Sequence, residues 1–506
     1  MDQAFRDFIL AHADDDCDRL LLSKEKWPDM DVRAAVNCII SRRKLKGKLP
    51  SWWAEEELFY PNTLSAEQCS GEEAAALKAG IALGLLNEDI PLDISNEESA
   101  LGKEHRTPRI ADLTGGLGVD CWSFARAGAE VLYNEMNPEI CGAAQHNLPL
   151  LGVKAVFRNC ELRKDNVGEI LGDFRPDLIY LDPARRSAGG SKVFRLGDCS
   201  PDLSTLLKPL LERAPRILAK LSPMADISRL LKELEDAAGY PCVSRIHIIG
   251  SGGECKELLV EAGREAEYNP TISVHDRGRC FSFCIEEERN AIAVAASLPE
   301  LQAAASAASS GEESRLLLFE PGSALMKAGP FKLLCREGMK KAGRSTQLYF
   351  TENRNLEGLG KYFRILSVLP LNKRSMKELA ELCPKAGVSA RNIPMGSDEL
   401  RRRLGVRAGD GHHIFGIRCD FSDAPSGNYL LVTETLCAGS GRIGQSLERE
   451  SIADLNRLVH VAEEILHIEA DGHLLYTLAG EARGIVDSGH APGQLLSRIY
   501  YGHTRI

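Results

Sequence analysis

Apolar residues follow two different spacings along the 506-residue chain. In residues 1 to about 100 they recur every three to four positions, with little glycine, which predicts helices. From Arg109 onward, short apolar runs such as RIADL and DLIYLD alternate with helical segments. Because this alternation is typical of βαβ units, the pattern predicts a helical amino-terminal region followed by an α/β domain with a parallel sheet.

The pattern changes again towards the carboxyl terminus. The runs VSRIHIIG and KELLVEAG flank a glycine-rich SGGEC turn, which predicts an antiparallel hairpin that closes the sheet. Residues 291–314 are rich in Ala and Ser and predict a surface excursion within a second, smaller domain. Strands and helices then alternate through YLLVTET and predict a small α+β domain, and a further helix is predicted at SIADLNRLVHVAEEILHI.

Composition narrows the class of protein. The chain is 44% hydrophobic and 26% charged, which is typical of a globular protein. No apolar run approaches the length of about 18 residues that a membrane span needs, and the amino terminus MDQAFRDFILAHADDD is acidic. We therefore expect a cytoplasmic protein without a membrane partner. The 15 cysteines include no CxxC pair, which predicts reduced thiols and no metal site.

The net charge of −10 is distributed unevenly along the chain. Residues 326–407 contain 18 Lys and Arg against 7 Asp and Glu, so this block is strongly basic and the remainder is acidic. A solvated surface and a nucleic-acid contact surface are both consistent with such a block.

A glycine-rich loop follows the first predicted strand of the α/β domain. That strand ends in Asp112, and Thr114, Gly116 and Gly118 precede the predicted helix WSFARAG. Glycines allow the backbone to approach a ligand closely, and a helix amino terminus favours polar or anionic groups. The next strand ends in Glu135, whose carboxylate can accept hydrogen bonds from a ribose diol. We therefore predict a nucleotide-type ligand here.

Polar residues also follow the third and fourth predicted strands. Asn159 ends AVFRN, where it could bond an adenine amino group or simply begin a loop. Asp182 and Pro183 follow DLIYL, at the switch point where open α/β sheets bind ligands. A dinucleotide fingerprint would require glycine where Cys121 stands, which disfavours NAD and FAD.

Together these motifs resemble the class I S-adenosylmethionine-dependent methyltransferases. KLPSW, EQCSGE, NPEI, DPARR, KLSP and ECKELL further resemble a bacterial group of such enzymes with a carboxy-terminal THUMP-like domain. The resemblance implies S-adenosylmethionine as the cofactor and a Rossmann-like, seven-stranded sheet. We therefore expect five regions: an amino-terminal helical region (1–104), a methyltransferase domain (105–265), a ferredoxin-like segment (266–325), a basic THUMP-like domain (326–425) and a tail without assignment (426–506).

The resemblance implies a role for each candidate residue on the cofactor side. Methionine would lie near the glycine loop, ribose on Glu135 and adenine by Asn159. Ser70 precedes the first strand and would either border the methionine end or cap a helix. Asp182 would align the acceptor, since an Asp-Pro pair offers a carboxylate and a backbone carbonyl that can hold an exocyclic amine.

The residues expected on the acceptor side match the known methyltransferase motifs less closely. Amine methyltransferases with Asp-Pro-Pro-Tyr place an aromatic residue on the base, whereas this chain has Arg185, which could stack or, with Arg186, hold phosphate. Lys220 ends the fifth predicted strand and could contact substrate phosphate or the acceptor, or be a solvated strand-end lysine. The KLSP stretch lacks the cysteine that pyrimidine C5 methylation needs.

The substrate expected from the resemblance is structured RNA, because THUMP-like domains of related enzymes are associated with it. The preferred hypothesis is methylation of a purine exocyclic amine in tRNA or rRNA. Alternatives are methylation of a protein or small molecule, and a catalytically idle RNA-binding protein; no oligomeric state is predicted. Phosphate contacts are expected from three basic clusters: Lys340-Lys341-Arg344, Lys373-Arg374-Lys377 and Arg401-Arg402-Arg403.

Overall fold

The structure is a computed structural model that describes residues 2–84, 106–185, 195–264, 266, 268–310 and 315–436. Arg186 and the helix predicted within the carboxy-terminal tail lie outside these ranges.

The described residues form α-helices in three groups. In the amino-terminal region these are α1 (Gln3–Ala11), α2 (Cys17–Leu22), α3 (Val32–Leu45), α4 (Pro50–Ala54), α5 (Thr63–Gln68) and α6 (Glu72–Ala82). The α/β domain contains α7 (Val119–Arg126), α8 (Pro138–Leu150), α9 (Val167–Leu171), α10 (Leu203–Leu211) and α11 (Ile227–Ala238). Beyond it lie α12 (Ile285–Asn290), α13 (Leu298–Ser310), α14 (Ser323–Ala328), α15 (Lys373–Leu382) and α16 (Ser397–Leu404).

Along the chain, the strands begin after the helices of the amino-terminal region and fall into two sets. The first set is β1 (Arg109–Asp112), β2 (Glu130–Asn134), β3 (Ala155–Arg158), β4 (Leu178–Leu181), β5 (Ala184–Arg185), β6 (Cys199–Ser200), β7 (Arg216–Leu221), β8 (Val243–Ser251), β9 (Glu254–Gly263), β10 (Thr271–Asp276) and β11 (Arg279–Cys284). The second set is β12 (Leu317–Pro321), β13 (Lys340–Lys341), β14 (Tyr349–Thr351), β15 (Gly360–Pro370), β16 (Gly387–Arg391), β17 (His412–Cys419) and β18 (Gly427–Thr435).

A nine-stranded sheet, which we call the catalytic sheet, has the order β11-β10-β8-β9-β7-β4-β1-β2-β3. Strands β3, β2, β1, β4 and β7 are parallel, and β9 lies antiparallel between β7 and β8. The Rossmann-like α/β class and the closing hairpin are thus observed as predicted. The count of seven strands was too low, because β10 pairs with the free edge of β8 and β11 with β10. Both strands fall within the region expected to be a separate ferredoxin-like segment (266–325).

A seven-stranded sheet, which we call the second sheet, has the order β13-β14-β12-β15-β18-β17-β16 and is antiparallel except for the β16–β17 pair. The predicted surface excursion at residues 291–314 differs from the structure, since Leu298–Ser310 forms α13. The alanines favour a helix, and Leu301 and Ala304, three residues apart on one face of it, are buried.

Two apolar cores flank the catalytic sheet. One face packs against the amino-terminal helices, where Trp52 and Trp122 meet edge to face with ring centroids 6.0 Å apart. The other face packs against α10 and α11, and this core continues into the second sheet through Phe319 and Tyr362. The amino-terminal region is therefore a layer of the same folded body, and it covers one face of the sheet that carries the candidate motifs.

An ion pair joins β7 and β9: Arg216 Nε lies 2.8 Å from Glu261 Oε1. Burial raises the pKa of Glu261, but the nearby His247 imidazole, 3.8 Å away, and the Arg216 guanidinium lower it to about 2, from an ordinary value of 4.5. Because the folded pKa is the lower one, the stabilisation is complete above about pH 4.5 and is lost as the pH falls towards about 2.

We expect Glu261→Gln to lower the free energy of unfolding at neutral pH and to flatten its decline below about pH 4.5. Urea unfolding of both proteins at a series of acidic pH values would measure this. Parallel declines in the two proteins would show that Glu261 makes no such contribution.

Candidate active site

A cavity of about 660 Å³ lies at the carboxyl ends of β1, β2 and β4. Its wall includes Ser70, Thr114, Gly116, Glu135 and Asp182, all of which sequence analysis singled out. They meet because parallel strands deliver the residues that follow them to one edge of the sheet. Such a volume suits a nucleoside-sized ligand.

The loop after β1 requires its glycines. A Cβ at Gly115 would lie 2.2 Å from a ring carbon of Tyr133, so only glycine fits there. Gly116 has φ +51° and borders the cavity, and Tyr133 Oη donates a hydrogen bond to its carbonyl. Gly118 has φ +89° and is the N-cap residue of α7; it does not line the cavity. At Gly115 and Gly116 the loop therefore presents bare backbone to the cavity, beside the side-chain-bearing Leu113, Thr114 and Leu117 that also line it.

Glu135 is fixed by two backbone donors. Its Oε2 accepts from Gly116 N at 3.0 Å, and its Oε1 accepts from Asn137 N at 2.8 Å. Each carboxylate oxygen has a second lone pair. The side chain can therefore also accept hydrogen bonds from a pair of ligand hydroxyls.

Asp112 lies beneath the loop and outside the cavity wall. It is 1% exposed, and its Oδ1 accepts from Thr114 N at 3.2 Å. Burial, reinforced by the nearby Asp120 carboxylate, raises the pKa of Asp112 well above its ordinary value. Thr114 Oγ1 accepts in turn from Asp182 N at 2.6 Å. Asp112 thus supports the loop, and Thr114 ties the loop to the residue after β4.

Asn159 does not line the cavity. Its Nδ2 donates to the carbonyls of Glu135 (2.6 Å) and Met136 (3.2 Å), so it holds the end of β2 against the end of β3. Glu161, two residues further on, does line the cavity, where Met136 and Ile140 add an apolar surface. Sequence analysis missed Glu161; the available signal was a carboxylate just past a strand end, beside the apolar Leu162.

Asp182 is paired with the lysine at the end of β7. Lys220 Nζ donates to Asp182 Oδ2 at 2.8 Å and lies 3.5 Å from Glu257 Oε1. The Lys220 side chain is 15% exposed and does not line the cavity, whereas that of Asp182 is 34% exposed and does. Pro183 follows directly, and the backbone of Arg185 lies in β5, paired with Cys199 of β6.

Ser70 borders the cavity from the amino-terminal region and is 4% exposed. Its Oγ donates to Asp120 Oδ2 at 3.0 Å and accepts from Lys78 Nζ. The helix-cap explanation does not apply to α6, since its N-cap is Gly71 and no side chain caps it. Ser70 therefore joins a buried polar cluster at the cavity wall.

The three basic clusters lie on the elements around the second sheet, and none of their residues lines the cavity. On α16, Arg401 and Arg403 pair with Asp398 (3.3 Å) and Glu399 (2.6 Å), so much of their charge is compensated locally. Arg402, between them, is exposed.

Helix α15 presents a more available positive surface. Lys373, Arg374 and Lys377 are exposed, and within the described ranges they form no ion pair. By contrast, Lys340 pairs with Glu300 at 2.7 Å, and burial lowers the pKa of Lys341. The α15 cluster is therefore the part of the basic block best exposed to a polyanion.

Across the described part of the chain, no group of three His, Cys, Asp or Glu side chains is arranged to hold a metal ion. None of the described helices is long and apolar enough to cross a membrane.

Comparisons with known proteins agree with this architecture. The family described as THUMP domain-like matches residues 360–434. Ribosomal RNA small subunit methyltransferase J of Aeromonas hydrophila subsp. hydrophila is 31% identical over 144 residues, which cover 26% of this chain and 55% of that protein. The chain thus spans about half the length of this curated relative.

A solved structure matches over most of the chain. The crystal structure of a candidate methyltransferase from Porphyromonas gingivalis W83 has a TM-score of 0.67 and 28% sequence identity, covering 86% of this chain and 98% of that one. The parallel sheet, the glycine loop and these matches support the resemblance to class I S-adenosylmethionine-dependent methyltransferases. The match to the THUMP domain-like family follows the catalytic sheet along the chain, as expected for the group with a carboxy-terminal THUMP-like domain.

Proposed function

We propose that the protein transfers a methyl group from S-adenosylmethionine to an exocyclic amine of a purine base in structured RNA, either tRNA or rRNA. The observation that carries the proposal is one cavity bordered by the glycine loop, the Glu135 carboxylate and the Asp182 carboxylate. The first two suit a nucleoside cofactor, and the third suits an amine.

The residues of the cavity fit this cofactor. The backbone at Gly116 would border the methionine part, and Glu135 would accept from the ribose hydroxyls. Glu161 would accept from the adenine amino group, with Met136 and Ile140 against the ring. When bound, S-adenosylmethionine supplies an electrophilic methyl group on a positively charged sulfur.

Asp182 would act on the acceptor. Its Oδ2 is bonded to Lys220, and no donor among the described residues bonds to Oδ1, which could accept an N–H from the base. That bond would aim the nitrogen lone pair at the methyl carbon, and the carboxylate would stabilise positive charge that develops on nitrogen. Arg185 would contact the base or its phosphate, and Arg186 a phosphate.

Two findings support an RNA substrate. The matched family is described as THUMP domain-like, and the curated relative is named a ribosomal RNA methyltransferase. The exposed α15 cluster adds a phosphate-binding surface that carries no sequence information itself. Arg401, Arg402 and Arg403 would contribute more weakly, since two of the three are paired.

We expect neutralisation of the α15 cluster (Lys373→Ala, Arg374→Ala and Lys377→Ala together) to weaken RNA binding and to reduce its salt slope by about 2 to 3. The matched triple variant Arg401→Ala, Arg402→Ala and Arg403→Ala should change the slope less. Filter binding at several salt concentrations measures both. Equal effects in the two variants, or none, would contradict the assignment of α15.

The decisive test of the function is a transfer assay. The protein is incubated with labelled S-adenosylmethionine and total RNA from a strain that lacks it, and the modified nucleoside is identified by mass spectrometry. A methylated purine amine is the expected product. Label in protein or in small molecules instead would favour those substrates, and cofactor binding without transfer to any RNA fraction would favour an idle RNA-binding protein.

A further inference from the structure

A row of alternating charges runs from the amino-terminal region to the cavity. Lys78 on α6 is 0% exposed, and its Nζ lies 2.8 Å from Asp120 Oδ1 and 3.5 Å from Glu257 Oε2. The other oxygen of Glu257 lies 3.5 Å from Lys220 Nζ, which donates to Asp182 Oδ2 at 2.8 Å. Four separate elements, α6, α7, β9 and β7, thus meet behind one cavity residue.

Stability alone does not account for this arrangement. Removing charges from water is costly, and apolar residues of similar volume commonly stabilise a core as well as a buried ion pair does. The two lysines also face three carboxylates, so the row has a formal charge of −1 when all are ionised. Two members of the row, Asp120 and Asp182, line the cavity, and the Asp182 side chain is the more exposed of the two, at 34% against 10%. Asp182 is therefore the member of the row best placed to contact a ligand.

We infer that Lys220 is the positioning residue for Asp182, and that Glu257 and Lys78 hold Lys220 in place. This rests on the proposed function, in which Asp182 orients the acceptor amine. Lys220 occupies Oδ2, so Oδ1 is the oxygen that remains for a ligand in the cavity that Asp182 lines. Thr114 Oγ1, which accepts from Asp182 N, fixes the backbone of the same residue. The strand-end lysine is thereby assigned to the carboxylate and not to substrate phosphate.

The charge state of Asp182 follows from its neighbours. Desolvation raises the pKa of Asp182, and the ammonium groups of Lys220 and Lys78 oppose this. Asp120 acts in the same direction as desolvation. Burial lowers the pKa of Lys220, but the carboxylates of Asp182, Glu257 and Asp120 outweigh burial and raise it, so Lys220 stays charged.

Two further groups face this cluster. Tyr180 on β4 donates to Asp120 Oδ2 at 2.9 Å, and Asp112 on β1 lies behind the loop. Burial raises the pKa of both side chains well above their ordinary values, which keeps Tyr180 protonated and favours the protonated form of Asp112. Both groups are unchanged in the variants compared below. Lys220, which forms the direct ion pair, is the neighbour whose removal should change the ionisation of Asp182 most.

The test uses the full chain carrying Lys220→Met. We expect kcat to fall about tenfold or more with little change in the Kd of S-adenosylmethionine, measured by calorimetry. The acidic limb of the pH–kcat profile should also move up by about one pH unit or more, because the Asp182 carboxylate loses its nearest cation. A loss of packing alone would not shift that limb.

A matched control and a second variant make the result interpretable. Glu261→Gln breaks the Arg216–Glu261 pair on the same two strands, outside the cavity wall, and should leave kcat and its pH profile unchanged. The double variant Lys220→Met/Glu257→Gln also removes the carboxylate that Lys220→Met alone would leave without its second cation. We therefore expect it to unfold at a higher temperature than Lys220→Met alone. Its kcat should nevertheless remain low if Lys220 positions Asp182.

The outcomes separate this inference from the proposed function. If the wild-type protein methylates no RNA, the proposed function fails. If the wild type is active but Lys220→Met matches Glu261→Gln in kcat and in pH profile, the positioning role is wrong. Recovery of kcat in the double variant, together with its stability, would likewise overturn the inference, because it would reduce Lys220 to a structural partner.

Discussion

Asp182→Asn is expected to lower kcat by about 100-fold or more, because the amide offers a weaker acceptor to the amine and cannot stabilise positive charge on nitrogen. The Kd of S-adenosylmethionine should change little, since the groups proposed to hold the cofactor lie on the loop after β1 and at the ends of β2 and β3. Single-turnover methyl transfer and calorimetry measure the two quantities separately.

Asp165→Asn provides a control for this prediction. Asp165 also lines the cavity, but it pairs with Arg163 and its side chain is 72% exposed, so we expect near wild-type kcat. A parallel loss of cofactor binding and kcat in Asp182→Asn would contradict a role in acceptor alignment. It would indicate instead that Asp182 maintains the shape of the cavity through Lys220 and Thr114.

Lys78→Met is expected to have the largest effect on stability, a loss of about 3 to 5 kcal/mol in the free energy of unfolding. The substitution keeps the volume of the side chain but leaves Asp120 buried without its nearest cation and leaves Glu257 with Lys220 alone. Urea unfolding followed by circular dichroism measures the loss. The cost should be greatest near neutral pH, because burial raises the pKa of Asp120 but Lys78 and Lys220 lower it below its ordinary value and keep the carboxylate ionised there.

Lys44→Met tests whether the effect comes from burial. Lys44, on the neighbouring α3, pairs with Glu67 at 3.1 Å, but the two side chains are 39% and 62% exposed. Such a surface pair contributes at most about 1 kcal/mol. Similar losses in the two variants would show that the buried cluster has no special energetic role.

Local patterns were sufficient to predict the loop after β1 and the Asp-Pro pair after β4. Both are contiguous motifs, and strand ends in a parallel sheet converge on one edge whatever the details of packing. The predicted number of strands was too low because it depends on tertiary pairing. Residues 271–284 extend the catalytic sheet by pairing with the free edge of β8, and no local sequence pattern indicates that pairing.

The charge cluster behind Asp182 was beyond sequence reasoning for a similar reason. Lys78 lies in an alanine-rich helix, where a lysine ordinarily faces water. Its burial depends on Asp120 and Glu257, which are 42 and 179 residues away along the chain. The residue that borders the cavity after β3 is Glu161 and not Asn159, because the end of a strand cannot be fixed from sequence closely enough to distinguish positions two residues apart.

The apolar core that continues from the catalytic sheet into the second sheet has a geometric consequence. Strand β15 contributes Tyr362 to that core, while Leu369 at its far end packs with the core beneath α15. The distance from the basic helix to Asp182 is therefore set by close packing and not by a flexible tether. If RNA binds at α15 as proposed, the nucleotide that reaches Asp182 would be selected by its distance from the site bound to α15.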